Sequence, residues 1–87
     1  MHKLEEIIEK IREERLRQLD LPGSELDSAN SPGDWIAMIC HYAAREAMRN
    51  GLTPSAEAFE DAIIKAAAMV CAAFEHIEVM KDRGELF

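Results

Sequence analysis

Seven residues of this chain combine a chemically useful type with an unexpected position: Arg15, Gln18, Asp34, Trp35, Tyr42, Asp61 and Lys65. Arg15 and Gln18 continue an apolar stripe formed by Leu4, Ile7, Ile8, Ile11 and Leu19. On a helical wheel Arg15 lies about 40° from Ile11, so its guanidinium is directed into the protein or towards the helix end. There it either snorkels out to solvent or pairs with a core carboxylate, or it stands beside the Gln18 amide in a pocket where its planar fork suits phosphate or carboxylate. Asp34, His41 and Arg45 fall near one line, with the single Trp and single Tyr, Trp35 and Tyr42, one heptad apart beside them. Asp34 reads as a helix cap or as a polar ligand group. The two rings read as core or as the wall of a planar-ligand site. Further on, Glu57, Asp61, Lys65, Ala68, Ala72, Glu75 and His76 share one helical face. Lys65 follows Asp61 by four residues, the favourable order for an intrahelical ion pair. Alternatively, Lys65 and Arg15 converge on one multivalent anion.

Other chemistries find less in the chain. Gly23, Gly33, Gly51 and Gly84 stand as turn or cap residues rather than in a phosphate loop, and there is no H-E-x-x-H or clustered Cys/His spacing. Cys40 and His41 are adjacent on a helix and so point about 100° apart. Acidic sets such as Glu6 with Glu9, or Glu57 with Glu60 and Asp61, can hold Mg²⁺ together with phosphate oxygens. With 17 Asp and Glu such sets also arise by chance. No cofactor is therefore expected, and Mg²⁺ only if the protein is an enzyme.

The elements that must position these residues are three helices, in one all-α domain spanning residues 1–87, with no sustained strand alternation. The first runs over about residues 2–20 and is stopped at Leu21-Pro22-Gly23. A polar loop, 21–31, precedes a second helix over about 32–50, with Ser31 as N-cap, Pro32 at the first position, Asp34 completing a shortened capping box and Gly51 ending it. Thr53 and Pro54 open a long third helix, over about 54–83, that ends at Gly84; 30 residues make a rod of about 45 Å. Within it, 62–74 reads AIIKAAAMVCAAF, with Lys65 the sole polar residue. A helix apolar on all sides is surrounded by protein or lipid, and this run is too short for a bilayer. A homo-oligomer packed through this helix is the expectation, with Ala66, Ala67, Ala68, Ala72 and Ala73 permitting close approach of a second copy.

The composition agrees. Ten Lys and Arg against 17 Asp and Glu leave a net charge of −7, and hydrophobic residues make up 48%. So short a chain buries only about 60% of its unfolded surface, which a second copy would supplement. The acidity disfavours duplex nucleic acid. Cys40 and Cys71, without disulfide or zinc spacing, fit a reducing cytoplasm, and no run is long enough to span a membrane.

Particular residues carry a resemblance to short phage- and prophage-encoded helical proteins: Glu14-Arg15 with Arg17-Gln18, the stretch Asp27 to Asn30 leading to Gly33-Asp34, Tyr42-Ala43, and Asp61 through Lys65-Ala-Ala-Ala-Met to Glu75. That group usually reads H-D-D-x-H-x-x-G-E-L-A in the middle; here Asn30 and Ser28 replace a His and an Asp, Asp34 replaces Glu, and a tryptophan-rich insert is missing. A more distant likeness is to MazG-type all-α nucleotide pyrophosphohydrolases, whose E-x-x-E…E-x-x-D carboxylates bind Mg²⁺. Asp34 and Asp61 would be remnants of that set, with Asn30 and Lys65 where carboxylates belong, and a cation at such a place opposes a metal. The first resemblance implies a phage accessory protein in the cytoplasm of an infected bacterium. Size and site character then suggest that it sequesters a small nucleotide-like anion used as a host-defence signal. Arg15 and Lys65 would meet phosphate, Gln18, Asp34 and Asp61 would orient polar groups, and Trp35 or Tyr42 would stack on a base. The rivals are a Mg²⁺-dependent nucleoside triphosphate pyrophosphohydrolase and an acidic inhibitor of a basic host protein.

Overall fold

A computed structural model of the chain describes residues 3–44 and 55–87. The described residues form helices and turns without a strand: α1, Leu4–Leu19; a 3-10 helix, Ser24–Ala29; α2, Pro32–Ala44; α3, Ala56–Glu75; and α4, Ile77–Asp82. The all-α expectation holds. Helix α3 is central, because α1 and α2 both pack on it while barely meeting each other.

Local chemistry explains most of the boundaries. The Ser31 N–H donates to Asp34 Oδ2 at 3.0 Å, and the Asp34 N–H donates to Ser31 Oγ at 3.1 Å, forming the reciprocal cap expected at the start of α2. Ser55 caps α3 by accepting from the Ala58 N–H at 3.0 Å. The expected opening at Thr53 and Pro54, the end of the second helix beyond Ala44, Arg45 and Gly51 all lie outside the described residues. After Asp82 the chain turns at Gly84, whose φ of 77° is left-handed; the Gly84 and Glu85 N–H groups donate back to Lys81 and Met80 carbonyls, both at 2.9 Å.

Three expectations need correction. The long third helix is not one rod: it divides at His76 into α3 and α4. Neither glycine nor proline breaks it. The His76 Nδ1–H donates to the Ala72 carbonyl at 2.7 Å, the acceptor an uninterrupted helix would offer to the His76 backbone, and that backbone N–H turns instead to Ala73 at 3.1 Å. The chain bends there, so Ile77 and Met80 pack beside Trp35. Second, the polar stretch 21–31 contains a 3-10 helix rather than only loop, entered through Gly23 at φ 88°. It is tied to the far end of the chain by the Arg83 guanidinium, which donates to the carbonyls of Ser28 and Asn30.

The third correction concerns the alanines. Ala62, Ala66, Ala68 and Ala72 are buried inside the protomer. Their small side chains let α1 and α2 approach α3, so of the five alanines expected to meet a second copy Ala66, Ala68 and Ala72 are taken up within the protomer, while Ala67 and Ala73 are half-buried. The core that Ala72 joins is small: Trp35, Ala72 and Met80, flanked by Met38, Met69, Ala73, Ile77 and Leu86. Helix α1 inverts the usual pattern, burying Arg15 and Gln18 while Leu4, Ile8, Leu16 and Leu19 stay exposed.

Candidate functional site

The seven residues do not meet at one point. Arg15, buried on α1, reaches the end of α3 and grips Glu75 with both arms of its fork, Nε to Oε2 at 2.7 Å and Nη2 to Oε1 at 3.1 Å. The Glu75 hydrogen bonds raise the guanidinium pKa above its ordinary value, and the same contact lowers that of the Glu75 carboxyl. Arg15 thus pairs with a carboxylate, as one reading had it, but with one at the surface rather than in the core. Next to Glu75, His76 stacks on Trp35 with ring centroids 5.2 Å apart and planes 26° from parallel. Trp35 is only 2% exposed, so one face is taken by His76 and the ring belongs to the core. Its Nε1–H has no hydrogen-bond partner among the described residues.

Asp34 is held by Ser31, backbone N–H first and hydroxyl second, and these bonds lower its carboxyl pKa. It acts as the α2 cap and stands apart from the Arg15 pair.

The other predicted residues gather elsewhere, around Glu14. Arg17 binds the Glu14 carboxylate bidentately at 2.8 and 2.6 Å, and the Gln18 amide donates to it at 3.1 Å. Lys65 on α3 lies within electrostatic range of Glu14, and its own ion pair is with Asp61 at 2.9 Å. Asp61 and Tyr42 in turn lie within electrostatic range of Arg17. The Glu14 pKa is lowered, first through the Arg17 hydrogen bond and further by Gln18 and Lys65. Tyr42 is half-buried with its ring edge to His41 at 5.6 Å. Gln18 Oε1 is buried without a partner among the described residues. Arg15 and Lys65 therefore serve different carboxylates, Glu75 and Asp61, about 21 Å apart along α3 at 1.5 Å per residue.

This second cluster opens onto a groove of about 660 Å³ between α1 and the first half of α3, lined by Lys10, Glu13, Glu14, Arg17, Ala56, Glu57, Glu60, Asp61 and Ile64. Five carboxylates face two cations there. Both cations are engaged by carboxylates of the groove itself, Arg17 by Glu14 and Lys10 by Glu60. Glu57, Glu60 and Asp61 share the wall, yet among the described residues no three carboxylate, histidine or cysteine groups converge as metal ligands would. Comparison with protein-family models, with characterised proteins and with solved structures returned no match.

Sequence reasoning missed Glu14 and Arg17 as the centre of this cluster. Both stand in the E-R-x-R-Q motif, but on a wheel Arg17 lies on the polar flank, where the residue looks like a solvated charge. Arg83 was missed as well, since nothing in one sequence reveals that two backbone carbonyls of the 24–30 turn would need a donor.

Proposed function

We propose that this protein is a non-catalytic binding module that works as a homo-oligomer and takes a cationic segment of a partner macromolecule in the groove between α1 and α3. The observation that carries this reading is the charge of the groove lining, where Glu14, Glu60 and Asp61 are paired with Arg17, Lys10 and Lys65 and Glu13 and Glu57 remain in surplus. A concave surface with low-dielectric walls focuses that excess negative potential and attracts Lys and Arg. The small-anion reading has weaker support, since Arg15 and Lys65 would have to leave Glu75 and Asp61 to meet phosphate, and Trp35 is covered by His76. A Mg²⁺-dependent hydrolysis would need converging carboxylates where the wall offers alternating ion pairs. The resemblance to phage accessory proteins would place the partner in an infected bacterial host, as a basic protein that this one masks.

The test is titration with a Lys/Arg-rich decapeptide. Glu13→Lys with Glu57→Lys should weaken binding about tenfold or more. The same charge change at Glu78 and Asp82, on α4, should leave it within about threefold. Equal losses from both pairs would reduce the effect to bulk acidity and sink the groove as a site.

A further inference from the structure

The surface of the protomer is too large for its mass. A folded monomer of 9.8 kDa exposes about 5,200 Å² by the usual size scaling, and this one exposes 6417 Å². Its radius of gyration is 14.4 Å, where a compact chain of this length has about 12 Å. The excess of roughly 1,200 Å² exceeds the share of about 800 Å² that each partner contributes to a stable interface.

Four of the exposed large apolar residues are ordered along one line. Phe59, Ile63, Val70 and Phe74 are 54%, 45%, 39% and 70% exposed. At 100° per residue they fall within about 60° of one another, on the side of α3 opposite the buried Ala68 and Ala72 and flanked by the buried Ala66. The ridge is about 22 Å long. Ala56 is the other residue in this arc and Ala67 borders it, so the arc itself carries no charge, and Glu60 at its flank is paired with Lys10. On one side of the ridge is an apolar hollow of about 410 Å³ reaching Trp35 and Met80, with Ile36 on its wall; on the other is a hollow of about 370 Å³ lined by Ile8, Ile11, Leu16 and Cys71 together with Arg12 and Arg15, which are paired with Glu9 and Glu75.

We infer that this ridge is the seat of a two-fold homodimer, in which α3 of each copy packs beside the other and each Phe74 enters a hollow of its partner. The inference rests on the homo-oligomer reading above and names its face. A second copy is the occupant for three reasons. The deficit belongs to the fold itself, since only six apolar residues among those described are buried, and a copy of the chain is present wherever the chain folds. A partner of net charge −7 is repelled except across an uncharged patch, which this ridge supplies. A projecting ring beside a hollow on the same surface is self-complementary, as a two-fold interface requires.

Sedimentation equilibrium of the full chain decides it. The wild type should have twice the protomer mass, and Phe59→Lys with Phe74→Lys should be monomeric with its helical circular dichroism retained. Lysine lowers the net negative charge, so dissociation could not come from a greater overall charge on the two copies. Since the variant could also fail to fold, Ile63→Cys and, separately, Glu78→Cys are compared in a Cys40→Ser, Cys71→Ser background with a short bismaleimide. Cross-linking at 63 and not at 78 supports the face. A wild type that is monomeric at about 100 μM overturns the homo-oligomer reading and the face together. An oligomer unaffected by the two lysines, or cross-linked through 78 and not 63, overturns the face and leaves the homo-oligomer reading standing.

Discussion

Arg15 shows how a single buried cation limits the protein's chemistry. Its guanidinium is nearly enclosed, while Glu75 keeps 46% of its side chain exposed. Removing the carboxylate leaves the charge without its partner in a confined place, where the penalty exceeds that of losing a surface pair. Glu75→Gln should therefore cost about 1 kcal/mol, seen as a fall of about 4–8 °C in the thermal midpoint. Glu9→Gln, which breaks the exposed pair with Arg12, should change it by less than about 2 °C. Acid should act through the same groups. The carboxyl pKa values of Glu14, Asp34 and Glu75 are all lowered in the folded protein, so the unfolded chain binds protons first as pH falls. Their contribution is complete above the ordinary carboxyl range near pH 4.5 and is lost as pH drops through the lowered values. Urea midpoints at pH 7 and pH 3 should show this loss, and Glu75→Gln should lose less than the wild type.

At the scale of elements, the start of α2 was legible in the sequence and the break at His76 was not. Ser31, Pro32 and Asp34 announce α2 because a capping box is local chemistry, written within four residues. Ser31→Ala should destabilise by about 1 kcal/mol, read from the urea midpoint, and unsettle α2 before α3. The division at His76 is different, because a histidine mid-helix gives no warning that its ring will take the Ala72 carbonyl and then stack on Trp35 from another helix. A tertiary contact selects the break. His76→Ala frees that carbonyl for a continuous helix and should weaken the contact of Met80 with Trp35, visible as a red shift of the single tryptophan's fluorescence. Ala66, Ala68 and Ala72 were read correctly as close-approach positions, but the helices that approach them belong to the same protomer. One sequence gives the width of an apolar face and leaves open which neighbour covers it.

For the whole molecule, sequence gave the sign of the total charge and the presence of inward cations, and the structure pairs those cations within. Arg15 answers Glu75, Lys65 answers Asp61, Arg17 answers Glu14 and Lys10 answers Glu60, so the groove between α1 and α3 presents its surplus carboxylates outward. That arrangement, more than the net charge of −7, is the ground for expecting a cationic partner. The most direct measurement is calorimetric titration of the wild type with a Lys/Arg-rich decapeptide and with ATP, side by side at low salt. The account predicts saturable heat with the peptide, weakening as salt is raised, and none with ATP at about 100 μM. Saturable ATP binding that Arg15→Ala abolishes, with no heat from the peptide, would contradict it.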